Sequence, residues 1–175
     1  MANVADVHLF AYLSCLLFVY NGFPAGDWGY SFAGTSLGAP FGADLQDCLG
    51  AASMADLLRQ DADRFLELTA AGTGELSFLQ GLNSCEERIA YLEAAAATLL
   101  SMPTGLVKIA IGREPTLRPA LALRVSRKLI ESPAVELLYE QFRSLTAVIG
   151  SGRDLLIPAT VWLTYLNQEA PTPNG

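Results

Sequence analysis

Histidine is nearly absent from this chain: His8 is the only one in 175 residues. A Ser-His-Asp or Cys-His nucleophilic site would have to be built on that one residue, and a histidine-based zinc set cannot be built at all. His8 lies on an apolar helical stretch, where a packed core histidine is expected rather than a ligand. Cysteine is scarce as well. Cys15, Cys48 and Cys85 are odd in number, widely spaced and without a CxxC pair. No disulfide framework follows, Cys15 and Cys48 read as small hydrophobes within apolar runs, and a reducing cytoplasm is the expected setting. Charged residues make up only 17% of the chain against 51% hydrophobic, which excludes extended disorder. Internal repeats and low-complexity runs are missing. So is an apolar run of bilayer length: Asp6 and His8 interrupt the stretch Val4–Tyr20, and Leu155–Leu166 is short and holds Pro158. No Lys or Arg precedes the first stretch, so the basic start of a signal peptide is lacking. Both are expected to be buried helices, with no membrane as partner.

Other chemical signals are weak. Glu86, Glu87 and Glu93 are spaced as exposed helix-face carboxylates rather than as an acid-base pair. Gly34, Gly38 and Gly42 form G-x-x-x-G-x-x-x-G, which matches neither a P-loop nor a dinucleotide fingerprint. We expect no catalytic residue, no cofactor and no metal.

What is present is helical patterning. Val4–Tyr20 reads as a first helix, stopped by Asn21-Gly22 with Pro24 beyond. Asp27–Phe32 reads as a strand or extended segment that packs Trp28, Tyr30 and Phe32 together. The stretch Gly38–Leu82 reads as one winged helix-turn-helix. Leu45, Leu49 and Ala52 mark its helix, Ala55–Arg59 a first wing strand and Arg64–Leu68 the returning strand. Thr69 is the predicted N-cap of a following helix that carries Leu76 and Leu79. Strand alternation turns Leu66 and Leu68 to the core and Phe65 and Glu67 outward. Ser84 and Glu87 then suggest a capping box for a helix Cys85–Met102, with Ile89, Leu92, Ala96, Leu99 and Leu100 on one stripe. Further helices are predicted over Gly105–Ile111, ended by Gly112, and Leu121–Ile130. Another starts at Ser132-Pro133 and runs to Ile149, with Leu137, Leu138, Phe142 and Leu145 inward. The last is Asp154–Gln168. The predicted fold is mainly α: a winged-helix region with its apolar first helix over 1–82, a helical subdomain over 83–169, and an unstructured tail over 170–175.

The charge is unevenly placed. Residues 1–82 carry nine acidic side chains against Arg59 and Arg64, whereas 83–175 balance nine acids with nine bases. Lys108, Arg113, Arg118, Arg124, Arg127 and Lys128 form a basic stretch opposed only by Glu114, a candidate contact for nucleic acid or for an acidic partner. A groove-reading helix around Asp44–Ala52 would offer Asp44, Gln46 and Asp47 and no base. Phosphate contacts supply non-specific DNA affinity, so this unit reads as a protein-docking winged helix. The excess of apolar residues points to a partner, with Trp28, Tyr30, Phe32, Phe41, Trp162 and Tyr165 as candidate anchors.

The segment Trp28-x-Tyr30-x-Phe32, followed by Gly38-Ala39-Pro40-Phe41-Gly42-Ala43-Asp44-Leu45, resembles two related groups over about residues 8–60. One is the middle components of three-component ABC-ATPase conflict systems of the Lamassu anti-phage type. The other is the SocA-like (Panacea) winged-helix antitoxins. The first resemblance implies a non-enzymatic accessory subunit, bacterial and cytoplasmic, that bridges an SMC-like ATPase and an effector. The second implies a DNA-binding regulator or antitoxin.

Overall fold

The structure is a computed structural model that describes residues 2–35, 39–123, 126–130, 134–150 and 154–168. In chain order it comprises α1 (Val4–Tyr20), a 3-10 turn (Ala25–Trp28), β1 (Ala33–Gly34), β2 (Pro40–Phe41), α2 (Ala43–Met54), β3 (Leu58–Gln60), β4 (Leu66–Leu68) and α3 (Ala70–Gln80). There follow α4 (Asn83–Ser101), α5 (Thr104–Arg113), α6 (Leu117–Leu123), β5 (Arg127–Lys128), α7 (Val135–Ile149) and α8 (Leu156–Gln168). The fold is mainly helical, with one antiparallel sheet in the order β2-β1-β5 and a separate β3-β4 hairpin.

α1 is the central element. It is apolar on every side, and such a helix can only be accommodated by surrounding it. Every residue from Ala11 to Tyr20 is buried, and α4, α7, β2 and the 3-10 turn pack around it. Its start is fixed by a capping box that the sequence reading missed: the Asn3 side chain accepts the Asp6 N–H, and the Asp6 carboxylate accepts the Asn3 N–H. Its end is as expected, with Gly22 in the left-handed region at φ +90°. Tyr20 then donates to the Gly150 carbonyl at 2.9 Å, tying the end of α1 to the end of α7. Gly34 matters through close approach: a Cβ there would stand 2.8 Å from the Ala120 Cβ, so β1 can lie on α6 only without a side chain.

Several sequence expectations need correction. Asp27–Phe32 is not a strand; the 3-10 turn ends at Gly29, φ +92°, and extended pairing begins only at Ala33. The Ser84–Glu87 capping box does not form. The tight Gly81-Leu82 link from α3 starts α4 at Asn83, which leaves Ser84 inside the first turn. α4 buries Tyr91, Ala95 and Thr98 rather than the stripe ending at Leu100, which is 89% exposed. α5 continues through Gly112 and stops where Glu114 turns extended ahead of Pro115, the conformation that a following proline imposes. The helix expected over 121–130 is instead α6, with Pro119 in its first turn where no N–H is needed, followed by strand β5. In α7, Leu138 and Phe142 are buried and Leu137 faces out. Cys48 is exposed, whereas Cys15 is buried, which pushes its thiol up to about 12. The predicted start at Ser132-Pro133 and the tail 170–175 lie outside the described residues.

Among the described residues no single helix is long and apolar enough to cross a membrane.

Candidate docking surfaces

The unit α2–β3–β4–α3 has the expected helix, hairpin and helix, but the strands are shorter than predicted: Ala55 caps α2, Asp56 takes φ +54°, and pairing runs only over Leu58–Gln60 and Leu66–Leu68. The hairpin pairs Leu58 with Leu68, Arg59 with Glu67 and Gln60 with Leu66. Asp61 closes its turn by accepting the N–H groups of Asp63 and Phe65, and Arg64 takes φ +66°. Thr69 caps α3 by accepting the Gly72 N–H at 3.0 Å. Its own hydroxyl donates to the Asp56 carbonyl, which locks the hairpin to the end of α2. At Gly72 the helix meets the chain so closely that a Cβ would fall 2.0 Å from the Leu57 carbonyl oxygen.

The burial of this unit is unlike the expectation. Between residues 43 and 82 only Gly72 is buried. Leu68, expected in the core, is half exposed, its side chain reaching α3 only near Gly72. Two clips hold the unit to α1. His8 accepts the Gly42 N–H on Nδ1 at 3.2 Å and meets the Gln46 Oε1 through Nε2, with its ring 4.7 Å from that of Phe41. Leu66 donates its N–H to the Ala2 carbonyl at 2.8 Å. His8 is thus buried and packed, as expected.

The aromatic anchors named from sequence divide sharply. Trp28 and Phe32 are buried and pack with Tyr30 at centroid distances of 6.1 and 5.2 Å for successive pairs. Trp162 is buried too, donating its indole N–H to Gln141 at 3.1 Å. In this chain these three pack into its own core, and Trp162 also reaches the wall of the groove between α5, α6, α7 and α8. Tyr30 and Phe41 are partly covered, and Tyr165 is exposed. Tyr165 borders an open groove of about 850 Å³ between α5, α6, α7 and α8. Leu137, Val148 and Val161, all exposed, line it with Leu145, and Arg113, Arg118 and Glu140 supply charge.

The basic stretch is not one surface. Lys108 pairs with Asp6 of α1 at 2.7 Å. Arg113 donates to the carbonyls of Leu166 and Asn167, capping the end of α8, and shares the groove with Arg118. Arg127 and Lys128 lie in β5 beside β1, Lys128 near Tyr30 in a different pocket. Arg124 lies outside the described residues.

Two groups escaped the sequence reading. Arg88 lies with its guanidinium 4.7 Å from the centre of the Trp28 ring and donates to the Trp28 carbonyl. Glu114, read from sequence only as the one acid opposing the basic stretch, is fully buried. Its carboxylate accepts from the Tyr12 hydroxyl at 2.8 Å, the Thr116 hydroxyl at 2.6 Å, the Thr116 N–H at 2.8 Å and the Leu117 N–H. It therefore staples α1 to the start of α6. Burial nonetheless raises its carboxyl above the ordinary range, outweighing the hydrogen bonds that favour the anion. An acid followed by proline ahead of a helix was the available signal. Among the described residues no cluster of three or more His, Cys, Asp or Glu side chains could hold a metal ion.

No family model, no curated protein and no solved structure matches this chain.

Proposed function

We propose that this protein is a non-enzymatic accessory subunit of a prokaryotic multi-protein complex, docking two other proteins at separate places. The observation that carries the reading is a pair of uncovered apolar surfaces with no residue in common. One is the α2–β3–β4–α3 unit, and the other is the α5–α8 groove, to which no residue of 43–82 contributes. A bridging subunit needs two such faces. We read the first as a winged helix-turn-helix used for protein docking: α2 presents exposed Asp44 and Asp47 where a DNA reader would present bases. The resemblance to the middle components of Lamassu-type systems names the partners as an SMC-like ABC ATPase and its effector, in anti-phage defence.

Co-expression with an SMC-like ATPase and an effector encoded beside the gene tests this, read by size-exclusion chromatography with light scattering. A complex of fixed stoichiometry is expected. Leu137→Ser with Val148→Ser should release one partner, and Leu76→Ser with Leu79→Ser the other. A monomer indifferent to both proteins would refute the reading. Tight, sequence-specific duplex DNA binding by the isolated chain would favour the regulator or antitoxin instead.

A further inference from the structure

We propose that the α2–β3–β4–α3 unit takes a basic amphipathic helix from a partner protein, with the helix's apolar stripe on Leu68, Leu76 and Leu79. The inference rests on the protein-docking reading above and specifies the chemistry of one partner. Gly72, Leu76 and Leu79 recur at the i, i+4, i+7 spacing that places them on one face of α3. Leu68 adjoins that face, since its Cδ2 lies 3.1 Å from where a Cβ on Gly72 would stand. Leu68, Leu76 and Leu79 remain 48%, 42% and 39% exposed, forming a seam in a unit that has almost no interior of its own. A groove-bound amphipathic helix supplies the missing layer, reading such a seam through its own apolar stripe.

Charge selects the occupant. Residues 43–82 hold seven acidic side chains against Arg59 and Arg64, and Arg59 is already paired with Glu67 at 2.9 Å. Asp44, Asp47, Asp56, Asp63 and Glu75 are all exposed, and Glu75 directly precedes Leu76 in the seam. The same unit of a second copy would set carboxylate against carboxylate. Duplex DNA and an anionic bilayer would be repelled for the same reason. A helix with lysine or arginine flanking its apolar stripe meets both the leucines and the carboxylates.

The test uses the full chain and two synthetic helical peptides of equal length, one with leucine and lysine faces and one with leucine and glutamate faces. Fluorescence anisotropy is recorded over a salt series, with duplex DNA as a third probe. The leucine-lysine peptide should bind, more weakly as salt rises. Leu76→Ser with Leu79→Ser should reduce that affinity at least about tenfold. Asp63→Lys with Glu75→Lys should reduce it too and flatten the salt dependence. Val148→Ser in the groove should change nothing, and circular-dichroism melting confirms that each variant is folded. Binding of the glutamate peptide, equal binding by the seam variants, or preferential binding of DNA would overturn the proposal. If the leucine-lysine peptide fails while the complex with neighbouring proteins persists, the basic-helix chemistry is wrong and the docking reading stands. If both fail, both are wrong.

Discussion

Replacing Glu114 by leucine tests whether a buried carboxylate holds α1 to the α5–α6 junction. The substitution is close in volume, so its effect is almost purely the loss of an acceptor. Four donors converge on the carboxylate: the Tyr12 and Thr116 hydroxyls and the N–H groups of Thr116 and Leu117. The hydroxyls of Tyr12 and Thr116 stand 2.7 Å apart and can still satisfy each other. The two backbone N–H groups have no substitute at a site from which water is excluded. An orphaned buried donor costs about 1–3 kcal/mol, so the variant should lose about 3 kcal/mol. For a chain of this size each kcal/mol moves Tm by about 2–4 °C, so a drop of about 6–12 °C is expected by calorimetry. Glu114→Gln keeps one acceptor oxygen and should fall between. The pH dependence gives an independent check. Because burial raises the carboxyl in the folded chain above its ordinary 4.5, the folded state holds a proton that the unfolded state has released. The resulting stability is complete below that value and is lost as pH rises from 4.5 toward the raised value. The parent should therefore lose stability over that window relative to Glu114→Gln, which has no proton to release. A Glu114→Leu protein melting within about 2 °C of the parent would refute the staple, and parallel pH curves for parent and Glu114→Gln would refute the raised carboxyl.

Two further outcomes follow from the docking unit. Gly72→Ala drives a methyl into the Leu57 carbonyl, 2.0 Å away, and backbone cannot yield as a flexible side chain would. We expect about 1–3 kcal/mol of local destabilisation, seen as lost hydrogen-exchange protection at Leu66 and Thr69 while the amides of α1 stay protected; unchanged exchange would refute the contact. His8→Phe preserves the ring against Phe41 but removes the acceptor for the Gly42 N–H, at a cost of about 1–3 kcal/mol in a denaturant titration. A wild-type midpoint would show that His8 is dispensable as a clip.

Local signals in the sequence determined much of this protein. The bounds of α1, the Asn21-Gly22 stop, the Thr69 cap and the β3–β4 hairpin are set within a few residues of each feature, and all were legible without the fold. The mainly helical class followed from the same patterning. Facing was not legible. Leu100 and Leu68 look like core and are exposed, whereas Ala95 and Thr98 are buried, because a helix or strand with apolar residues on more than one side does not say where its neighbours lie. The exposure of the candidate anchors and bases was not legible for the same reason. Trp28, Phe32 and Trp162 read as anchors for a partner until α1, α4 and α7 close over them, and a basic run contiguous in sequence disperses over α5, α6 and β5. Only tertiary structure paired β1 with β5, buried Glu114 beneath α1 and left the α2–α3 unit uncovered. Each of these depends on contacts between residues far apart in the chain. Such contacts decide which apolar and charged groups meet water, and neither composition nor periodicity carries that information.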